Sequence, residues 1–518
     1  MLRHGWQLLT LGWRQLAGPL AFWWLGGWLL ALVVKISGIQ IGGWPTLMGL
    51  LALSAWLLGL AVRSRQVTGT VRSIGTLWVM LAGTAVWWLP LGWAGYLATL
   101  QASIQIPAAI QNVIFNTRYD WLPIVGPVWL FGWVLSWKWL PALRQQLQVT
   151  TGWRQYWRMG WQTSWWSVLK TNRDLGSVLV SWCGVAVLAA GSVWLSGWWS
   201  QQLSRVLAVL SIVSLQTMWW LCLMGKWSQW WPMTAIAARW RRASVVIIIG
   251  LLSLSSYASW WLGAPKATNP AIIAHRGVNG HDGVQNTTAA LKSTVKQTHP
   301  EMVEMDIQPT ADRHWVVMHD PTLKALAGQP GPVRDYPVDQ LKHLPLHEHG
   351  QRGYLSTFKQ YFAVARQLRQ PLLVEIKAVG AADQLMGSFA DRYARMLIQQ
   401  QGAVHSLDYQ VIARLHQRQA QLPVGLITPF YLTDFTDSVA DFYSLQALTV
   451  TREQISAAHR QQRPVYLWTV DRPLAMQRLT ALGADGLITN HPGQLRRLQG
   501  TSTHYYFYQL INWLLSWL

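Results

Sequence analysis

The chain has 518 residues, of which 51% are hydrophobic and only 12% charged, and it carries 37 tryptophans. That composition excludes a wholly soluble protein, because tryptophan in such numbers is favoured at membrane interfaces rather than in ordinary cores. Residues 1 to 264 hold 18 Lys+Arg against two acids, Asp120 and Asp174, whereas residues 265 to 518 hold 24 basic and 19 acidic residues, so most of the +21 formal charge sits in the first half and nucleic acid is not an expected partner.

In chain order, seven apolar runs are long enough to cross a bilayer: about 16 to 34, 44 to 62, 74 to 93, 120 to 141, 175 to 198, 204 to 224 and 244 to 263. The first follows Arg3 and Arg14 and is read as a retained span. Taking the N-terminus as cytoplasmic gives inside loops with Arg63, Arg65 and Arg72, then Arg144 to Arg173, then Lys226 to Arg242. This positive-inside bias, with seven spans, places everything after residue 264 outside the cell membrane. Cys183 and Cys222 lie in apolar runs and match no metal or disulfide spacing.

A Gly, Pro and Asn-rich linker, 263 to 270, ends this multi-pass region, 1 to 264. Beyond it, eight strand-like runs alternate with helix-length segments: 272 to 275, 303 to 307, 372 to 377, 403 to 407, 424 to 428, 445 to 450, 465 to 470 and 486 to 489. That alternation predicts a parallel α/β TIM (β/α)8 barrel over 265 to 500. The run WVVMH, 315 to 319, starts only eight residues after Ile307, too few for a parallel crossover. It must turn back as a hairpin and carry His319 toward the preceding strand.

Glu304 and Asp306 are two apart on that strand and therefore share a face. Paired carboxylates at a barrel mouth require a cation or a basic partner, and Glu375 in VEIK could add a third oxygen. Such a donor set suits one divalent cation, Ca2+ or Mg2+; salt bridges to Arg276 and Lys377 are the alternative. His275 and His319 flank the cluster as an acid and a base, and Arg276 offers a fork for a phosphate. Asp320 is expected to point away from His319 on an extended chain and to be a loop residue.

AHRG, QNTTAAL, VEMDIQPT, VVMHDPTL, LLVEIK, LWTVD and GADGLITNHP occur in this order between residues 271 and about 495. Together they resemble the glycerophosphodiester phosphodiesterase family, and the front half resembles the membrane domain of some Gram-positive members. The resemblance implies hydrolysis to sn-glycerol 3-phosphate and an alcohol. It implies His275 and His319 as the acid/base pair and Glu304, Asp306 and Glu375 as metal ligands. Arg276, Lys377, Asn286 and Trp468 are implied on the substrate. Where the family has Glu-Asn-Thr this chain has Gln285, Asn286 and Thr287, and the family's Asn after WTV and Asp after the last IT are Asp471 and Asn490.

Anchoring favours a substrate at the envelope: a lysophospholipid, a glycerophospholipid or lipoteichoic acid glycerophosphate. Phospholipase C- or D-like action on intact lipid, and a non-catalytic membrane sensor or transport component, are the competing readings; oligomeric state is left open. The tail, 501 to 518, is too short to span. Gln509, Asn512 and Ser516 form a narrow polar stripe on it, which predicts an interfacial helix on the bilayer, with packing against the barrel or the membrane helices as the alternative.

Overall fold

The computed structural model describes residues 2–68, most of 98–139, 153–230, 240–263, 269–377, 382–430, 435–500 and 503–516. Among them, five helices are long and apolar enough to cross a membrane: Ala21–Gln40, Gly43–Leu60, Arg173–Gly197, Gln201–Gln229 and Ala243–Leu262. The fourth expected span is a helix, Arg118–Ser136, but it carries Asp120 in its first turn and Pro123 and Pro127 inside. It falls short of the other five. The third, 74 to 93, lies outside the described residues. The N-terminal half is thus a membrane-associated helical region, and tryptophans stack between its helices, as Trp28 does on Trp220 at 5.4 Å.

The second half builds a closed barrel. Strands β1 (Ala271–Ala274), β2 (Met302–Pro309) and β3 (Trp315–Val317) are followed by the hairpin β4 (Pro345–Glu348) and β5 (Gln351–Tyr354). Then come β6 (Leu372–Ile376), β7 (Ala403–Ser406), β8 (Val424–Thr428), β9 (Phe442–Gln446), β10 (Val465–Trp468) and β11 (Gly486–Thr489). The eight parallel strands run β1-β11-β10-β9-β8-β7-β6-β2, and β2 closes on β1. One strand sits three residues earlier than expected: β9 is Phe442–Gln446, because Phe442 and Tyr443 are the residues that enter the core, while 447 to 449 turn away from the sheet.

β3 is the expected return strand, antiparallel to β2 with Ile307 opposite Val317. The β4–β5 hairpin has no counterpart in the sequence reading. In PLHEHGQRGY only Leu346 and Gly353 are buried along its two strands, so its apolar alternation is too sparse to register as a strand pattern. Leu346 joins Val316, Met318, Leu323, Val333 and Leu355 in a small core of its own beside the barrel.

Barrel strands are apolar on both faces, as parallel strands must be when helices cover them. Outward-facing Ile272, Val303, Val374, Val404 and Leu467 join the helix layer, each worth about 1.5–3 kcal/mol of burial. Inward-facing Ile273, Leu373, Ala403, Phe442 and Ile488, with Met302 and Tyr466, plug the barrel floor.

The tail forms a helix that packs inward on one face. Tyr505–Leu515 buries Leu510 and Trp513 among the membrane helices, beside Trp261 and Tyr257. Its polar stripe is inside: Gln509 Nε2 donates to the Ala481 carbonyl at 2.5 Å, and Asn512 Nδ2 donates to the Arg478 carbonyl at 3.0 Å. The stripe expected to face water caps the neighbouring helix, Pro473–Leu482. The helix touches both the N-terminal helices and the barrel helix Pro473–Leu482.

Candidate active site

The period of two along a strand carries the floor residues into the layer above. Two residues beyond Ile273, Met302, Leu373, Ala403, Phe442, Tyr466 and Ile488 stand His275, Glu304, Glu375, His405, Ser444, Trp468 and Asn490. They ring the C-terminal end of the barrel, where barrel enzymes build their sites, and Asp306 stands one layer higher on β2 beside Glu375.

The turn after β1 is tightly specified. Gly277 has φ +68°, and a Cβ there would come within 2.7 Å of Tyr361 Oη, so only glycine fits. Arg276 is held at φ +51°, a conformation costly for a side chain. It directs the Arg276 backbone N–H to Glu304 Oε2 at 2.8 Å and the guanidinium toward Asp306, at 3.8 Å.

His275 Nδ1 lies 2.9 Å from Asn490 Oδ1. Asn490 turns its amide nitrogen to Asp471, at 2.9 Å. A carboxylate only accepts, so the Asn490 oxygen faces the ring and His275 Nδ1 donates. Nε2 therefore keeps its lone pair, 4.0 Å from Glu304 Oε2. Burial, with Arg276 adjacent, pushes this imidazole down to about 4. The two departures from the family pattern, Asp471 and Asn490, are thus one reciprocal pair in contact.

His319 Nδ1 lies 2.9 Å from Asp320 Oδ1. The expectation that Asp320 points away is corrected: residues 319 to 321 form a bend, so side chains there do not alternate as on a strand. Burial lowers His319 as well, against the raising influence of Asp306 and of Asp320.

The acids divide into two environments. Asp306 accepts from Lys377 Nζ at 2.7 Å and from Asn286 Nδ2 at 2.8 Å, while its N–H donates to Asn286 Oδ1 at 3.1 Å. Burial alone would raise Asp306, but Lys377, His319 and Arg276 hold it well below the carboxylate range. Burial also works against the Lys377 ammonium, yet Asp306 and Glu375 carry it above its ordinary value. Glu304 and Glu375 move the other way, raised first by burial and then by their acidic neighbours. Asn286 is consequently engaged with Asp306, and Trp468 Nε1 with the Ser444 carbonyl at 2.9 Å.

Sequence reasoning missed Glu348 and His405. Glu348, at the tip of the β4–β5 hairpin, accepts from Gln285 N at 2.9 Å and Gln285 Nε2 at 2.5 Å, and Gln285 Oε1 accepts from Arg276 Nη1 at 2.6 Å. The carboxylate absent at 285 is supplied from 63 residues away in sequence. His405 faces Ser444, with Nδ1 2.9 Å from Oγ; strand parity with Ala403 was the signal for it.

Buried carboxylates outnumber the two cations among them, and Glu304 Oε1 has no partner among the described residues. Glu304, Glu375 and His405 offer ligand atoms within 4.8 Å of one another. The residues fit a divalent cation. A closed barrel with two histidines, clustered carboxylates and an arginine at its mouth defines a TIM-barrel hydrolase suited to phosphoric diesters.

Residues 275–494 match the glycerophosphoryl diester phosphodiesterase family. The chain is 26% identical over 238 residues to "Putative glycerophosphodiester phosphodiesterase YhdW" of Bacillus subtilis, covering 43% of this chain and 94% of that protein. It is 24% identical over 240 residues to a glycerophosphodiester phosphodiesterase of Caldanaerobacter subterraneus, covering 44% and 96%. A glycerophosphodiester phosphodiesterase structure from Parabacteroides distasonis matches with a TM-score of 0.38 and 21% identity, over 45% of this chain and 97% of that one. The barrel half of the chain belongs to the glycerophosphodiester phosphodiesterase family and is a phosphoric diester hydrolase.

Proposed function

We propose that the protein hydrolyses glycerophosphodiesters to sn-glycerol 3-phosphate and an alcohol, acting at the outer face of the membrane with a divalent cation in the barrel mouth. The observation that carries this is the juxtaposition of His275, its Nε2 lone pair facing the carboxylates, with His319, Arg276 and Lys377 around one opening. His275 Nε2 takes the proton from the oxygen that attacks phosphorus, and the neutral ring set by Asn490 suits a base. His319, whose ring is oriented by Asp320, gives a proton to the departing alcohol oxygen. Arg276 pairs with the phosphoryl oxygens, held in place by Gln285, and Lys377 keeps Asp306 ionised beside them. Trp468 forms an apolar wall for the glycerol. Glu304 and Glu375 would hold the cation, with Asp306 alongside. When bound, the cation supplies charge neutralisation at the phosphoryl group.

Five helices long and apolar enough to cross a membrane support a substrate presented at the envelope: a lysophospholipid, a glycerophospholipid or lipoteichoic acid glycerophosphate. The test is a metal-reconstituted assay of the purified protein, offering glycerophosphodiesters, lysolipid and lipoteichoic acid side by side. Release of glycerol 3-phosphate, lost in His275→Ala, is expected; diacylglycerol as the product would overturn the reading. Protease protection of the barrel from the cytoplasmic side tests the orientation, and cleavage from that side would refute it.

A further inference from the structure

We infer that His405 is a nitrogen ligand of the cation site, so that the chain selects a divalent transition metal, Zn2+ or Mn2+, over Ca2+. The inference rests on the cation reading above and concerns which residues of this chain define the site. His405 is 2% exposed, and its Nε2 has no hydrogen-bond partner among the described residues. One ring nitrogen of His405 lies in a group with carboxylate oxygens of Glu304 and Glu375, all within 4.8 Å of one another. β7 places it there directly, because His405 is in register with Glu375 of β6.

A buried imidazole nitrogen without a partner costs about 1–3 kcal/mol. Leaving it unpartnered on a ring beside two carboxylates would be a poor arrangement for a residue whose only task was packing. When Ser444 Oγ accepts from Nδ1–H, at 2.9 Å, Nε2 keeps its lone pair for a ligand. That is how a second residue orients a ligating histidine.

The third carboxylate is differently occupied. Asp306 is held by Lys377 and Asn286 at 2.7 and 2.8 Å, and it does not join the group of Glu304, Glu375 and His405. Replacing a carboxylate by an imidazole changes the preference of the site. Oxygen donors suit Ca2+ and Mg2+, whereas imidazole nitrogen favours first-row transition metals. Ligand atoms that lie within 4.8 Å of one another are near enough to converge on one such ion.

The full-length protein, purified in detergent and stripped with a chelator, is loaded with Mn2+ and measured by pulsed electron paramagnetic resonance. Nitrogen-14 coupling is expected in the wild type, in His275→Ala and in His319→Ala, and its loss is expected in His405→Gln. Calorimetric titration of the same variants should show Zn2+ affinity falling at least about tenfold in His405→Gln, with Ca2+ affinity little changed. Ser444→Ala retains the imidazole and guards against misfolding: it should keep the nitrogen coupling. Wild-type protein that binds Mn2+ without nitrogen coupling, or His405→Gln that retains it, overturns the role of His405 alone. Wild-type protein that binds no dication overturns the cation reading as well.

Discussion

Asn490 sets the protonation of His275 through one oxygen atom. An imidazole pushed down to about 4 is neutral across the physiological range, so the acid limb of kcat/KM should lie well below pH 6.5. Asn490→Asp places a carboxylate on Nδ1–H, favours the imidazolium and should move that limb to higher pH. A pH–rate profile of both proteins checks this. The same shift has a stability consequence. The unfolded chain binds more protons than the native one between the ordinary histidine value and about 4, so the His275 contribution is present above pH 6.5 and is lost as pH falls through that window. His275→Ala should reduce turnover by about 10²–10⁴-fold. Gln285 and Glu348 form a second exchange. Gln285→Glu brings two carboxylates together and should raise KM by loosening Arg276, while adding Glu348→Gln should restore it.

At the scale of elements, two segments do work that their composition conceals. The β4–β5 hairpin is polar and short, yet it presents Glu348 to Gln285 and sets His349 against His281, ring centroids 4.1 Å apart. It fastens the insertion after β3 to the turn after β1. The tail helix joins barrel to membrane helices: Trp513 is fully buried against Trp261 and Tyr257, and Gln509 and Asn512 bond the helix Pro473–Leu482. Trp513→Ala should cost about 3–5 kcal/mol, read as a lowered thermal midpoint in detergent. Removal of 505 to 518 should strip the barrel of this contact and raise its proteolytic sensitivity.

For the whole molecule, the contact between halves is ionic as well as apolar. Lys35, in the helix Ala21–Gln40, bonds Glu453 at 2.8 Å, with the carboxylate almost wholly buried. Arg452 beside it donates to the Trp261 carbonyl at 2.9 Å and lies over the Trp261 ring at 4.3 Å. Arg460 donates to the Ile39 and Ile41 carbonyls at the end of the same helix. The helix Arg452–Arg460 thus ties the barrel to the N-terminal helices. Lys35→Ala strands Glu453 without its counter-ion and should destabilise by about 3–5 kcal/mol, whereas pairing Lys35→Met with Glu453→Gln should recover most of the loss. Thermal unfolding of the single and double variants checks both outcomes.

The sequence by itself determined the barrel, the hairpin after β2 and the inward histidines and carboxylates. Each follows from local periodicity: strand parity assigns faces, and a start at Trp315, only eight residues after Ile307, forbids a crossover. What only the tertiary structure decided are contacts between residues far apart in the chain. Glu348 meets Gln285, Asp471 meets Asn490, Lys35 meets Glu453, and His405 meets Glu304. Gln285, Asp471 and Asn490 looked like losses from a family pattern, because a sequence shows which residue is absent from a position and not which distant side chain takes up its charge. The tail's polar stripe misled for the same reason: periodicity shows which residues share a face, but burial depends on what that face meets.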